Sequence, residues 1–160
     1  MNTQQDLTRI ALQEQRLRFE RFDARTAWEI GGRLKALAEA KSLSVTIDIQ
    51  LHTQPLYFYA MPGTTPDNVD WVRRKRNAVM RFQRSSYALG LDIGEAKLEA
   101  TWGLSTRDYA LHGGCFPVFV GDACIGTITV SGLPQREDHK LVVEVLAEYL
   151  GLGMEGLRLD

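Results

Sequence analysis

The 160-residue chain is 44% hydrophobic and 24% charged, with a formal net charge of −1. That is the composition of an ordinary globular protein, long enough to bury a core without disulfide or metal staples. The near-neutral balance gives no pull toward nucleic acid or an anionic membrane, no apolar run approaches the ~18 residues of a membrane span, and MNTQQDLTRI lacks the charged-then-apolar pattern of a secretory signal. A single cytoplasmic domain over residues 1–160 is therefore the expectation.

In chain order, residues 3 to 16 read as a helix with Leu7, Ile10, Ala11 and Leu17 near one side. LRFERF, 17 to 22, reads as a short strand. Asp23 is placed to cap a helix from about 24 to 41, whose inner face carries Ala27, Ile30, Leu34, Leu37 and Ala38. Gly31-Gly32 within it costs about 1 kcal/mol per glycine relative to alanine, which calls for close packing against the sheet or another subunit. SVTIDIQL, 44 to 51, alternates Val45, Ile47, Ile49 and Leu51 with Thr46, Asp48 and Gln50, a half-buried strand. PLYFYAM follows as its hairpin partner.

Thr65 and Pro66 open the next helix as N-cap and first residue, and its pattern runs to about residue 89. On its wheel Arg73, Arg74, Arg81 and Arg84 share a polar arc with Asp70 and Asn77. Lys75 and Arg76 fall inside the apolar arc of Val69, Trp71, Val72, Val79, Met80 and Phe82. A cation facing packed surface must be compensated. For Arg76 three readings stand: it lines an anion-accepting pocket, makes a salt bridge within or between subunits, or snorkels. The aromatic residues lie on the wrong side of this helix for nucleic-acid binding, and no second basic element supports it.

Ser105-Thr106-Arg107-Asp108 resembles a capping box opening a short helix through Leu111. Gly113 then stands either as a left-handed helix stop or, with Gly114, as a nest of amides accepting an anion. Gly121-Asp122 separates two β-rich runs and suits a type II′ hairpin. The simple register pairs Val120 with Ala123, Val118 with Ile125 and Phe116 with Thr127, and brings His112 opposite Ser131. One face then carries Phe116, Val118, Val120, Ala123 and Ile125, the other Cys115, Phe119, Cys124, Ile128 and Val130. Two mainly apolar faces place the hairpin between helical layers, and Pro117 places its first strand at the sheet edge. Cys115 and Cys124 lie roughly 13 Å apart on this ladder at about 3.3 Å per residue, too far for a disulfide. Pro134 suits the first turn of a final helix to about Leu150, with Leu141, Val142, Val145, Leu146 and Tyr149 buried.

The combination HGGxFPxxxxxxxIGxxxVSGLPxxxDH, with WVRRKRN, SSY and RDYALHGG upstream, resembles the haem-degrading domain family, the GlcG-like proteins, and in particular its intracellular branch. The resemblance spans roughly residues 5 to 150. It implies an α+β three-layer sandwich of profilin-like type: a five-stranded antiparallel sheet with helices on both faces, LRFERF counting as the fifth strand. It also implies homo-oligomers and, for some relatives, haem that is bound and slowly degraded. His52, His112 and His139 carry no haem-attachment spacing, so haem comes with the family and not with a site.

A ligand-binding pocket is expected at the hairpin base, from His112, Gly113, Gly114, Ser131 and Gly132, with Trp71 and Arg76 from the long helix and Asp138 and His139 from the last. A helix N-terminus, a glycine nest and an arginine together favour a small anion, a carboxylate or phosphate such as a haem propionate. His112 and His139 serve there as acid–base groups or ligands, or are hydrogen-bonded structural histidines. Asp138 also suits the helix dipole alone. No residue is marked as catalytic, and three scattered histidines make no metal motif. The alternative is a non-enzymatic oligomeric adaptor that docks a protein partner through Arg73, Arg74, Arg81 and Arg84.

Overall fold

The structure, a computed structural model, describes residues 2–160. Its elements are α1 (Thr3–Arg16), α2 (Ala24–Ala40), β1 (Thr46–Leu51), β2 (Gln54–Ala60), α3 (Pro66–Phe82), α4 (Ser86–Asp92), α5 (Glu95–Trp102), β3 (Cys115–Val120), β4 (Ala123–Ser131) and α6 (Gln135–Tyr149). The sheet is antiparallel with strand order β2-β1-β4-β3. Helices α2 and α6 pack on one face and α3 on the other. The layered architecture follows the sequence pattern, and Pro117 sits on an edge strand. The sheet has four strands rather than five, because LRFERF contributes only one bridge, Phe19 to Val120. Leu17, Phe19 and Phe22 turn inward as core residues instead.

Local chemistry explains most element boundaries. Asp23 caps α2 through a reciprocal box with Thr26, and Gly31 lets α2 approach the Tyr57 ring so closely that a Cβ there would collide with it. The reading of one helix over 66–89 is corrected: Gln83, in the left-handed conformation, ends α3, and Ser85 caps a separate α4. The Ser85 amide donates to Glu14 on α1, which fixes the break against another element. The expected helix over 105–111 is a single turn, and α5 lies just before it. Gly113 is not its left-handed stop; Gly114 carries the positive φ, 130°.

The 121–122 turn forms with Gly121 at φ 61°, and Val120 pairs with Ala123. Beyond it the simple register fails. A bulge leaves Ile125 without a partner, so Phe119 pairs with Cys124, Val118 with Gly126 and Phe116 with Ile128. One extra residue reverses the facing of all that follows on its strand. Ile128 and Val130 thus join Phe116 and Val118 on the α2/α6 side, with Ile47 and Ile49 from β1. The face under α3 receives Thr46, Asp48, Gln50, Thr127, Thr129 and Ser131, all buried. Cys115 and Cys124 are free.

Candidate functional site

The buried polar face under α3 is the setting of the site. Lys75 follows Val72 by three residues and precedes Val79 by four, so helical geometry points it at the sheet. Only 3% exposed, its ammonium donates to Asp138 Oδ2 at 3.0 Å and to the Val130 carbonyl at 3.1 Å. Asp138 stands in the first turn of α6, and its other oxygen accepts the Leu133 amide at 3.0 Å. One carboxylate therefore ties the strand-to-helix turn and neutralises a buried lysine. Burial raises the Asp138 pKa, with the Lys75 charge opposing. Gly114 makes the approach sterically open, since a Cβ there would stand 2.7 Å from Lys75 Nζ.

Above this pair lies a hollow of about 220 Å³, walled by Trp71, Lys75, His112, Ser131, Gln135 and Asp138, with Gly132 at its rim. The His112 ring meets Trp71 edge-on at 5.0 Å between centroids. His112 Nδ1 lies 3.1 Å from Glu95 Oε1, a contact supplied by α5.

Of the residues expected at the hairpin base, Trp71, His112, Ser131, Gly132 and Asp138 line this hollow together. The others lie elsewhere. Arg76, the next residue after Lys75 along α3, pairs with Asp48 Oδ2 at 3.1 Å and borders a separate groove containing Phe58 and Val69. The intramolecular salt bridge is thus the reading that fits it; burial raises the Asp48 pKa against the Arg76 charge. Gly113 donates its amide to the Gln135 side chain at 3.1 Å, and the Cys115 amide bonds Ser86 Oγ at 3.0 Å. One amide of the supposed nest, that of Gly113, and the amide that follows the nest are therefore already engaged.

His139 is fully buried on the far side of α6, where Nε2 meets Gln13 Oε1 of α1 at 2.7 Å and the ring lies beside Tyr87 and Phe116. Burial lowers its pKa to about 3, aided by nearby Arg136, so it is a neutral structural clasp. Burial likewise pushes the Cys115 thiol up to about 12, which removes it as a nucleophile.

Sequence reading missed Lys75 and Glu95. Lys75 carried the same signal as Arg76, a cation inside an apolar arc, and the choice between them needed the sheet beneath. Glu95 had no signal, because α5 was not legible. The arginines considered for docking are largely engaged at home. Arg73 binds Asp70, Asp108 and the Arg107 carbonyl, Arg74 binds the Thr106 carbonyl and covers Trp71 at 4.4 Å, and Arg84 binds Asp92. They strap the 104–111 segment and the α3–α4 corner.

An antiparallel sheet between helices, carrying a polar hollow where β4 turns into α6, defines an α+β class of small domain. The chain belongs to the HbpS-like haem-degrading protein family, whose model matches residues 22–147. It is 56% identical to a UPF0303 protein of Azotobacter vinelandii over 164 aligned positions, covering 100% of this chain and 98% of that one. Among solved structures it resembles the Ybr137w protein, with a TM-score of 0.83 and 28% identity, covering 95% of this chain and 90% of that one. The fold is also that of PduOC, crystallised in complex with haem, with a TM-score of 0.65 and 16% identity over 76% of this chain and 89% of that one. α1 and the C-terminal residues after 147 lie outside the family match. Among the described residues, no helix is long and apolar enough to cross a membrane.

Proposed function

We propose that this protein binds a small carboxylate-bearing ligand in the hollow between α3, β4 and the start of α6. The observation that carries the reading is Lys75, an ammonium only 3% exposed that nevertheless forms part of the hollow's wall. Buried lysines are rare and need anionic company. Asp138 supplies one anion, and the third N–H of the ammonium is the donor assigned to the ligand. Gln135 and the Ser131 hydroxyl add polar groups at the α6 N-terminus, where the dipole favours negative charge.

Haem fits this site only in part. Sites for drug-sized ligands occupy about 300–1,000 Å³, so a hollow of about 220 Å³ takes a propionate arm and leaves the macrocycle outside. The family and the haem-complexed relative make haem the first ligand to test. Titration with haemin is expected to give a saturable Soret shift that His112→Ala and Lys75→Met each weaken at least tenfold, while Arg81→Ala has no effect. A shift indifferent to both substitutions would put haem elsewhere on the protein.

Self-association belongs to the same proposal. β2 is an open sheet edge flanked by exposed aromatics, Trp28 at 70% and Phe58 at 50% exposure, the kind of edge that pairs with a second copy. Light scattering is expected to give a multimer for the intact chain and a smaller species for Trp28→Glu with Phe58→Glu. A monomeric intact chain would remove this part.

A further inference from the structure

Four buried side-chain polar atoms among the described residues lack a hydrogen-bond partner, and two of them are His112 Nδ1 and Glu95 Oε1. They face each other at 3.1 Å, within ion-pair reach but off the line of a hydrogen bond. A third is the Thr46 hydroxyl, at the strand position paired with Ser131 in the wall of the hollow. Native folds seldom leave such atoms unmatched, and where they do a ligand, a water or a catalytic duty accounts for them. Hydrogen bonds at catalytic groups are commonly loose before substrate arrives and tighten in the complex.

The pair has the parts of an acid–base device. A carboxylate that closes on Nδ1 when substrate arrives holds the imidazole proton on that nitrogen, which leaves Nε2 as the basic atom. His112 itself walls the hollow, so that basic atom belongs to the same site as Lys75, with Asp67 and Trp71 on α3 and Gln135 and Asp138 on α6 completing its surroundings. Trp71 packs edge-on against the ring.

We propose that His112, positioned by Glu95, is the proton-transferring base for small 2-oxo acids bound in this hollow. The inference rests on the carboxylate-binding reading above and adds the chemistry. A 2-oxo acid carries its carboxylate and carbonyl oxygens on neighbouring carbons, so the one N–H of Lys75 not given to Asp138 or the Val130 carbonyl is shared between them. Nε2 takes a proton from the carbon beyond the carbonyl. That C–H bond breaks, its electron pair forms the C=C bond of an enolate, and the negative charge arrives on the oxygen facing Lys75. Return of a proton from the imidazolium to the same carbon restores the oxo acid. Nothing is oxidised or reduced, and no co-reactant is consumed.

The test is proton NMR of pyruvate in D₂O with the full chain. Wild type is expected to accelerate loss of the methyl proton signal through deuterium exchange. His112→Ala and His112→Gln should each return it to background. Glu95→Gln should lower the rate at saturating pyruvate at least tenfold with little change in the half-saturating concentration, and Glu95→Asp should restore part of it, a pattern a merely structural glutamate would not give. Saturation transfer from protein to pyruvate reports binding in the same samples. Transfer without exchange overturns the base assignment and leaves the carboxylate site standing; absence of both overturns the two together.

Discussion

The two faces of one sheet obey different rules. Toward α2 and α6 the sheet presents Ile47, Ile49, Phe116, Val118, Ile128 and Val130, an apolar layer closed on all sides. Toward α3, the alternate positions of the same strands carry Thr46, Asp48, Gln50, Thr127, Thr129 and Ser131, equally buried but polar. The first face is what a fold requires. The second puts Lys75 and Arg76 opposite Asp138 and Asp48 in a largely buried layer, an arrangement that apolar residues of similar volume would often match or exceed in stability. A stability cost concentrated on one face, with a hollow at its end, is the reason the proposed site is assigned to that face.

The largest expected effect concerns His139, which guards the apolar side. The native state holds its pKa at about 3, against an ordinary 6.5, so below about pH 6.5 the unfolded chain takes up a proton that the folded chain refuses. Its contribution is complete above that pH and declines as pH falls toward 3, by about 1.4 kcal/mol per unit and on the order of 5 kcal/mol in all. Urea unfolding between pH 7 and pH 4 should show this slope, and His139→Gln should flatten it. An unchanged slope would mean that the imidazole is not buried in neutral form.

Next comes the polar side. Lys75→Met leaves Asp138 buried and unpaired, and should cost about 3–5 kcal/mol near pH 8. Because burial already raises the Asp138 pKa, the carboxyl accepts a proton readily once its cation is gone, and the penalty should shrink toward pH 5. The double variant Lys75→Met with Asp138→Leu should recover most of the loss. Failure of the double variant to recover would show that the pair supports the fold beyond its own charges.

The mildest comparison sets one residue from each face side by side on β4. Ile128→Ala should destabilise by about 2–5 kcal/mol through lost burial and a residual cavity. Thr127→Val removes a hydroxyl that is fully buried and has no partner, and should stabilise by about 1 kcal/mol. Thermal melts of the two variants decide the matter. A destabilising Thr127→Val would mean that the hydroxyl is satisfied in solution, most simply by an ordered water.

Much of this was legible in the chain because local rules generated it. Alternation in β1, the Asp23 and Thr65 caps, the Gly121-Asp122 turn and the edge position of Pro117 each depend on a few neighbouring residues, and each was found where expected. Of the nine residues grouped at the hairpin base, His112, Ser131, Gly132, Trp71 and Asp138 line one hollow; the β4-to-α6 turn carries Ser131, Gly132 and Asp138, while Trp71 arrives on α3 and His112 on the segment before β3. What local reasoning missed was whatever depended on parity or on a distant partner. The Ile125 bulge alters no local preference, yet it sends Ile128 and Val130 to the opposite face. Lys75 and Arg76 are adjacent cations in one arc, and only the positions of Asp138 and Asp48 on other elements decide which one meets the hollow. His139 differs from Asp138 by one position, but that step rotates it about 100° around α6, away from the site and onto α1. Sequence by itself determined most of the elements and caps, though not α5 or the break between α3 and α4. Tertiary structure alone decided the register, the pairing of buried charges and the arrival of Glu95, since each is settled by contacts between residues far apart in the chain.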